Sequence, residues 1–585
     1  MRTLRARAAL TVLALSALAG CGLAGHSTVQ AGLDVGSGSV PLVRVLPPGP
    51  APGADRDQII LGFVRAGAAS DGAYDRAREF LTEPMAKQWS PDGPVVVVDA
   101  ESSLTVRITG QGTARLTGTA VATISPQGAY TTLPSGTTRS VDIGFARIDG
   151  QWRIDDLPDT FGRWVVEDDV PRLFRPYAVH YVATDRPALV SDIRWFPLDH
   201  LTTRLARAQL GAVPAYLADA VRSEAPAGAR LLADGVPVVD GVATVDLSAR
   251  IPTDQSVREG LWAQFVATLT QVPGVASVAL RVDGAPLDLP GVGTPVSTVT
   301  DLGFEPEVAT SDAKALIRDG TQLRILDSEV ENHKPAPRPS GETTEIPTSV
   351  TNLAMSLDGR DIAGIEAGRT TLAWWHDDRR TDVGTMGTAL GNPSFDRLGY
   401  LWVGGISTRR GAVTRLWAIA TDGGSASSDQ LTPVTADWLA ARRVVDAVVA
   451  PDGQRIAVLS STADGTDTRI DVAGIVRGDG GRPERLTAAA LSVGAPVSGF
   501  VGLTWLDNAT LASMGGKSPT TLRPFVIGLG GDVRALSPTP NGVSLASTGG
   551  ERAIRVVTVA GQILARAGLQ WVDEASGTDV LVPGR

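Results

Sequence analysis

The sequence predicts a multidomain protein in which two α+β domains precede an all-β C-terminal domain. Its 585 residues exceed the usual size of one domain, about 100 to 200 residues, several times over. Between residues 55 and 290, runs with helical spacing of apolar side chains alternate with runs of period two. From about residue 300, short strand-like runs follow one another with glycine-rich turns between them, which predicts a domain built of strands.

The first twenty residues predict a lipoprotein signal peptide. Arginines open the chain, and residues 8–19 are almost wholly apolar, a run too short to span a bilayer. The run closes on Leu18, Ala19, Gly20 and Cys21, a tetrad that resembles the bacterial lipobox. This resemblance implies cleavage before Cys21, which would carry an S-diacylglycerol group and an N-acyl group such as palmitate.

Ordinary signal peptidase is the alternative, because a small-x-small pattern that ends at Ala19 fits that enzyme as well. It would release a soluble protein with one unpaired thiol, since Cys21 is the only cysteine in the chain. We favour the lipid, because such a thiol would invite oxidation and cross-linking in an exported protein. Two or three acyl chains would hold the protein stably at the outer face of the cytoplasmic membrane.

Composition limits the expected partners and chemistry. A net charge of −10 and a pI near 5.2 argue against nucleic acid as a partner. One cysteine allows no disulfide and five histidines leave little for a metal site, so we expect no cofactor and no metal. No second apolar run approaches about 20 residues, so the lipid is the expected membrane contact. Residues 21–54, rich in Gly, Ser and Pro, predict a flexible linker.

Residues 55–185 predict the first α+β domain. Acidic residues precede a helix whose apolar face includes Ile59, Ile60 and Phe63, and a second helical run follows. Beyond residue 94 the period changes to two, as in an antiparallel sheet. This order of elements, with its closing phrase at residues 149–158, resembles the nuclear-transport-factor-2-like fold, which hosts enzymes and scaffolds alike.

Residues 186–292 predict the second α+β domain. The strand phrase Gly-x-Ala-x-Val-Asp-Leu-Ser, the helix end Ala-Thr-Leu-Thr and the Val-Pro-Gly-Val step resemble the GerMN module of spore-germination lipoproteins. Asp246 and Ser248 could face a ligand, but such strand-end residues more often cap a neighbouring turn, and we favour capping. His200 and Asp199 are adjacent on a predicted helix, so they do not share a face and make a poor catalytic pair.

Residues 300–585 predict a β-propeller of about six blades. Six phrases there share one skeleton, an Asp or Asn, usually followed by Gly, that leads into an apolar strand, at steps of 34 to 56 residues. We expect tryptophans to fill the space between blades. The phrases are anchored at Asp319, Asp358, Asp396, Asp452, Asp507 and Asn541. The tryptophans are Trp374, Trp402, Trp417, Trp438 and Trp505.

The motif search assigns no catalytic residue. No Gly-x-Ser-x-Gly elbow occurs, which argues against the common pairing of a propeller with a serine hydrolase. No His or Cys pair has the spacing of metal ligands. Carboxylates are plentiful, so a glycosidase-like acid pair stays open. We expect a binding or scaffolding protein and not an enzyme.

The signal, the two α+β domains and the propeller, in this order, resemble the actinobacterial LpqB lipoprotein family over essentially the whole chain. The resemblance implies an accessory lipoprotein of the MtrAB two-component system. Such a protein would bind the extracellular domain of the sensor kinase MtrB and modulate MtrA signalling and cell-envelope and division homeostasis. Two alternatives stay open: a protein that binds cell-wall glycan, and an envelope hydrolase that uses carboxylates of the propeller or of the GerMN cleft.

Overall fold

The structure is a computed structural model in which the residues from 47 onward form one compact unit. Cys21 and the cleavage motif Leu18, Ala19 and Gly20 lie outside the described residues. The described residues are 47–68, 74–250, 252–306, 313–326, 336–337, 344–383, 386–408, 415–421, 430–516, 518, 522–539 and 541–584.

The first α+β module opens with three helices that pack on a sheet. They are α1 (Arg56–Gly67), α2 (Asp75–Arg78) and α3 (Glu83–Gln88). A capping box starts α1: the Asp55 carboxylate accepts from the Gln58 N–H at 2.9 Å, and the Gln58 side chain accepts from the Asp55 N–H at 3.0 Å. Ile59, Ile60 and Phe63 are buried, so the predicted apolar face of this helix is confirmed.

The sheet of this module has seven strands, five of them in the order β6-β5-β3-β1-β7, with β2 and β4 also paired to β3. The strands are β1 (Val95–Val98), β2 (Thr105–Ile108), β3 (Thr113–Ile124), β4 (Tyr130–Thr132), β5 (Thr138–Ile148), β6 (Gln151–Asp156) and β7 (Arg163–Val166). Strand β7 runs parallel to β1 at the end of this order, while the other pairs are antiparallel. Arg163, the first residue of β7, is thereby placed at the sheet edge.

The second module begins with a long hairpin that follows a short helix, α4 (Val170–Leu173). The hairpin consists of β8 (Phe174–Ala183) and β9 (Leu189–Pro197), and β10 (Val221–Arg222) pairs with β8. The domain boundary that we predicted after residue 185 falls inside this hairpin. Because both strands pack in one core with the helices of the second module, we propose that this module begins at Phe174.

The rest of the second module places two helices against a second sheet. The helices are α5 (Leu201–Gln209) and α6 (Gln255–Leu269). The strands are β11 (Arg230–Leu231), β12 (Val238–Val239), β13 (Val242–Ser248), β14 (Ser277–Val282) and β15 (Ala285–Pro286). Strands β13 and β14 are parallel, with α6 as the connection between them, and β13 alternates buried and half-buried side chains as its sequence predicts.

Three details of this module bear on the predicted residues. The Asp246 carboxylate accepts from the Gly284 N–H at 3.1 Å, so it caps the neighbouring turn as we favoured. We predicted His200 on the helix, but it is the residue before α5. Its left-handed backbone (φ 50°) cannot be part of a right-handed helix. A 3₁₀ turn, Ala215–Leu217, follows α5 and leads into β10, in which Val221 pairs with β8.

Six antiparallel sheets, five with four strands and one with five, follow one another around a ring, so the predicted count of about six blades agrees with the described residues. Blade 1 consists of β16 (Leu316–Asp319), β17 (Gln322–Ile325), β18 (Ala336–Pro337) and the C-terminal β42 (Val580–Leu581). Blade 2 consists of β19 (Val350–Met355), β20 (Asp361–Glu366), β21 (Leu372–His376) and β22 (Arg379–Val383). Blade 3 consists of β24 (Ser394–Phe395), β25 (Tyr400–Gly404), β27 (Leu416–Ala420) and β28 (Leu431–Val434). A small two-stranded antiparallel sheet of β23 (Gly387–Thr388) and β26 (Ile406–Ser407) accompanies blade 3.

Blades 4 to 6 complete the ring. Blade 4 consists of β29 (Arg443–Val449), β30 (Arg455–Ser461), β31 (Arg469–Arg477) and β32 (Pro483–Leu486), and β33 (Leu491–Val493) also pairs with β31. Blade 5 consists of β34 (Val501–Trp505), β35 (Thr510–Gly515), β36 (Arg523–Gly528) and β37 (Val533–Ala535). Blade 6 consists of β38 (Gly542–Ser547), β39 (Ile554–Thr558), β40 (Gln562–Ala567) and β41 (Gln570–Ser576). Blade 1 is closed by β42, so strands from the two ends of the propeller sequence pair in one sheet.

Each of the six repeated phrases leads into a strand, as predicted, but not into the same strand of every blade. Asp319 lies between the second and third strands of blade 1, and Asn541 precedes the first strand of blade 6. Blade 1 has no turn between its first two strands, because its first strand, β42, comes from the C-terminus. The other four phrases lie between the first and second strands of blades 2 to 5, at Asp358, Asp396, Asp452 and Asp507.

A separate apolar cluster fills each junction between neighbouring blades. Four of the predicted tryptophans are buried in these clusters and the fifth, Trp438, is half-buried against one of them, as expected from the sequence. The cluster between blades 4 and 5 does not stop at the propeller. It continues into the second module, so Trp505 and Leu459 of the blades belong to one core with Leu217 and Phe265.

A buried arginine joins the second module to the propeller within this region. The Arg455 guanidinium, on β30, is 0% exposed and lies over the Trp505 ring. It donates to the Asp452 carboxylate at 2.8 Å, to the Ser191 carbonyl on β9 at 2.8 Å, and to the Asn508 carbonyl. Two blade turns and one strand of the second module are therefore fixed by one side chain.

We predict that Arg455→Met destabilises the protein by about 3–5 kcal/mol, because the Asp452 carboxylate would stay buried without its counter-charge. Asp452→Asn combined with Arg455→Met should recover part of that loss. Equilibrium urea unfolding measures both effects. The matched control is Arg115→Ala, which removes an equally well-formed but exposed arginine–aspartate pair (52% and 61% exposed) and should leave the unfolding midpoint unchanged. Equal effects of the two single substitutions would contradict the prediction.

Candidate functional site

The candidate site is the central channel of the propeller, a cavity of about 380 Å³. The innermost strand of every blade contributes to its wall: β19, β24, β29, β34, β38 and β42. Its titratable side chains are Asp446, Asp579 and Arg318. These three decide whether the channel can support acid–base chemistry.

Asp446, on the innermost strand of blade 4, is buried, and burial raises the pKa of its carboxyl group to about 7. Hydrogen bonds oppose that shift: the Asn392 side-chain amide donates to Oδ2 at 3.2 Å, and the Leu503 N–H donates to the same oxygen at 3.1 Å. Asn392 precedes the innermost strand of blade 3, and Leu503 lies on that of blade 5. Asp446 thus connects three neighbouring blades.

Asp579 likewise connects neighbouring blades, at the point where the C-terminal strand closes the ring. Its carboxylate accepts from the Leu353 N–H of blade 2 at 3.3 Å and lies 3.7 Å from Arg318 of blade 1. Arg318 is itself buried and donates to the carbonyls of Pro347 at 2.7 Å and Ile346 at 3.2 Å, and to that of Val350. The C-terminal strand is therefore anchored to two blades through one carboxylate.

The two acids of the channel are both engaged in contacts between blades. They belong to blades 4 and 1, which are opposite members of a six-blade ring. Each accepts hydrogen bonds from neighbouring blades, and Asp579 also has a buried cation beside it. A glycosidase needs one carboxyl group free to protonate the leaving group and another free to attack or to activate water. In this channel both groups are engaged in holding the ring together.

Sequence reasoning missed a histidine–carboxylate pair in blade 2. His376 Nδ1 lies 2.7 Å from Asp361 Oδ1, and the Trp374 indole N–H donates to the same oxygen at 2.9 Å. Burial raises the pKa of the Asp361 carboxyl group. The neighbouring Ser356 hydroxyl donates to Asp358 at 2.7 Å and not to His376, so no nucleophile is activated there. Only the cross-strand register of β20 and β21, which sets Asp361 opposite His376, could have revealed the pair.

Among the described residues, no group of three or more His, Cys, Asp and Glu side chains is arranged to hold a metal ion. No helix of the described part is both long and apolar enough to cross a bilayer. The predicted lipidation site, Cys21, and its cleavage motif lie outside the described residues, so they stay predictions.

Comparison with known families covers all three modules. The sequence model of the LpqB lipoprotein N-terminal domain matches residues 49–171, and that of the LpqB lipoprotein β-propeller domain matches residues 327–583. Between them, the Germane model, described as sporulation and spore germination, matches residues 178–288. The chain belongs to the LpqB lipoprotein family.

Relatives in the LpqB family come from actinobacteria. The chain is 27% identical over 547 residues to lipoprotein LpqB of Thermobifida fusca, covering 84% of both chains. It is 26% identical over 632 residues to lipoprotein LpqB of Streptomyces coelicolor, covering 97% of this chain and 96% of the relative. A solved nidogen/laminin complex gives a TM-score of 0.30 at 12% identity, covering 46% of this chain and 93% of that one, which is too low to support any argument.

We predict that Asp446 makes stability fall as pH rises. Its carboxyl group keeps a proton up to about pH 7 in the folded protein but loses it near pH 3.8 when unfolded. The unfolding free energy should therefore decrease by up to about 4 kcal/mol between pH 4 and 7. Asp446→Asn, which imitates the neutral acid, should remove this slope and be more stable than the wild type at pH 8. Urea unfolding across pH 4 to 8 measures the difference.

Asp579→Asn is the matched control for that experiment. It should keep the slope due to Asp446 but lower the unfolding free energy at neutral pH, because Arg318 is 3% exposed and would lose its carboxylate. An Asp446→Asn variant whose pH profile runs parallel to the wild type would show that this carboxyl group titrates normally.

Proposed function

We propose that the protein is a membrane-anchored, extracytoplasmic lipoprotein that binds the extracellular domain of the sensor kinase MtrB. In this role it modulates MtrA signalling and, through it, cell-envelope and division homeostasis. The observation that carries the proposal is membership of the LpqB family across all three modules. The residues of the signal region supply the anchor through Cys21, which is proposed to carry the diacylglycerol and acyl groups.

The physical continuity of the modules supports a binding role. One apolar core runs from the second module into blades 4 and 5. The first module joins the same body at Trp195, whose ring lies 5.8 Å from that of Tyr130 and whose indole N–H donates to the Gly530 carbonyl of the propeller at 2.7 Å. A body held this way presents its surfaces in a fixed relation, which suits a protein that positions itself against a receptor at the membrane.

The channel acids also favour binding over catalysis, since Asp446 and Asp579 both accept hydrogen bonds from neighbouring blades. One observation favours the alternative of an envelope hydrolase, namely the raised pKa of Asp446, because a carboxyl group that keeps its proton near pH 7 could act as a general acid. A third candidate is a binder of cell-wall glycan. The experiments below separate all three.

We predict that the mature protein begins at Cys21 with a diacylglycerol on its thiol and an acyl group on its amine. Mass spectrometry of the N-terminal peptide from membranes should show these additions, because two or more acyl chains give stable anchoring. Cys21→Ala should abolish the additions and release the protein from the membrane fraction. An unmodified chain that starts at Gly20 in the wild type would establish ordinary signal peptidase cleavage instead.

We predict that the detergent-solubilised full-length protein binds the purified MtrB extracellular domain saturably and hydrolyses no wall glycan or peptide. Titration calorimetry measures binding, and mass spectrometry of incubated wall fragments measures turnover. Asp446→Asn should leave kinase binding unchanged, because its side chain lies inside the channel. Steady turnover that Asp446→Asn abolishes would overturn the proposal in favour of the hydrolase, and glycan binding without kinase binding would favour the third candidate.

A further inference from the structure

A second cavity, of about 280 Å³, lies between the first and second modules. The end of β3 and the turn that follows it form one wall, and β9 and α5 form the other. Three arginines line it, Arg163 from β7 and Arg204 and Arg207 from α5, and the one carboxylate in its lining is that of Asp92. Its side-chain charges therefore sum to a positive value.

Arg163 is the unusual member of this set. Its side chain belongs to a residue only 5% exposed, yet among the described residues no carboxylate lies within 4.0 Å of its guanidinium and its buried Nε has no hydrogen-bond partner. Among the described residues, its one side-chain hydrogen bond joins Nη1 to the Tyr74 hydroxyl at 2.7 Å. A buried cation without an anionic partner is costly, and a buried N–H without an acceptor adds to that cost.

Aromatic rings offset part of the cost. The Arg163 guanidinium carbon lies 5.0 Å from the centre of the Tyr74 ring and 5.1 Å from that of Phe174. The two rings hold the guanidinium in place, but an aromatic ring does not replace an oxygen acceptor for an N–H group. The Nε–H of Arg163 therefore has no hydrogen-bond acceptor among the described residues. Burial lowers the pKa of Arg163, and the nearby Arg204 cation also lowers it, whereas Tyr74 and the carboxylates of Asp199 and Asp92 raise it.

The other two arginines differ in how far they are neutralised. Arg204 binds the carboxylates of Asp92 at 2.8 Å and Asp199 at 2.9 Å. Arg207 is exposed at the rim and donates to a carbonyl, that of Asp234, at 2.9 Å. The three arginines and the carboxylates of Asp92 and Asp199 therefore leave a net charge of +1 around the cavity, and neither Arg163 nor Arg207 has an ion-pair partner among the described residues.

We propose that this cavity binds a small organic anion, a carboxylate or phosphate compound with an apolar body. The anionic group accepts from Arg163, whose planar fork suits both carboxylate and phosphate oxygens. The apolar body packs on Phe174, Trp195 and Phe196, which also line the cavity. A cavity of this size admits a compact compound and not a lipid with its acyl chains. Because the cavity lies between two modules, an occupant would touch both of them.

The test is titration calorimetry of the full-length protein with benzoate and with phenyl phosphate, and with benzyl alcohol as the neutral analogue. Saturable binding of at least one anion, with benzyl alcohol much weaker, is the expected result. The tighter of the two anions identifies the ligand class. Equal affinity for benzyl alcohol, or no binding of either anion, would overturn the proposal, since the cavity would then not select a negative charge.

Three variants show whether the anion sits where we propose. Arg163→Lys keeps the charge but loses the fork, and should weaken the anion about 10-fold or more. Arg207→Gln, on the exposed rim, should preserve folding and weaken it roughly 3-fold through the lost charge. Arg230→Gln removes an exposed arginine of the same module outside the cavity and should change nothing. If the first two variants bind like the wild type, Arg163 is only a packing residue. This outcome does not depend on kinase binding.

Discussion

The ion pair of Arg455 with Asp452 is the interaction on which the arrangement of the modules depends. Asp452 caps the turn between the first two strands of blade 4, where its Oδ1 accepts from the Gln454 N–H at 2.8 Å, and its Oδ2 accepts from Arg455. The Nη1 and Nη2 groups of Arg455 donate to the Ser191 carbonyl and to the Asn508 carbonyl of blade 5. Without that side chain, the polar ends of two blades and a strand of the second module would be buried with acceptors unsatisfied.

Two further buried arginine–aspartate pairs lie near the contact between the second module and the propeller. Arg194 binds Asp192 at 2.7 Å within the second module, and Arg477 lies 3.4 Å from Asp396 within the propeller, both pairs being buried. A buried ion pair gains little over an apolar pair of the same shape, because desolvation offsets most of the attraction. The shared apolar core therefore supplies the attraction between the modules, while the ion pairs restrict the orientation in which they can meet. Gly474 shows how close that approach is, since a Cβ there would lie 2.7 Å from Ala220.

Local patterns allowed the sequence to predict the kinds of element but not the contacts between them. The apolar face of α1 and the alternation of β13 depend on nearby residues, so both were predictable. The position of Asp319 between the second and third strands of its blade was not predictable, because closure of blade 1 by a C-terminal strand leaves no local trace. Arg455 and Ser191 are 264 positions apart, and the pKa of Asp446 depends on Asn392 and Leu503 of other blades, so neither could be inferred from spacing.

Arg455 and Arg163 show what separates a structural arginine from one suited to a ligand. Both are buried and both lie against aromatic rings, so burial and ring contacts do not distinguish them. The difference is in the acceptors: each guanidinium nitrogen of Arg455 has a partner within the protein, whereas Nε of Arg163 has none among the described residues. Arg477 of the propeller also has an unpartnered Nε, but it lies 3.4 Å from the Asp396 carboxylate, whereas no carboxylate lies within 4.0 Å of Arg163 among the described residues. An arginine left incomplete at a cavity between two modules is therefore better explained by an acceptor that comes from outside the chain.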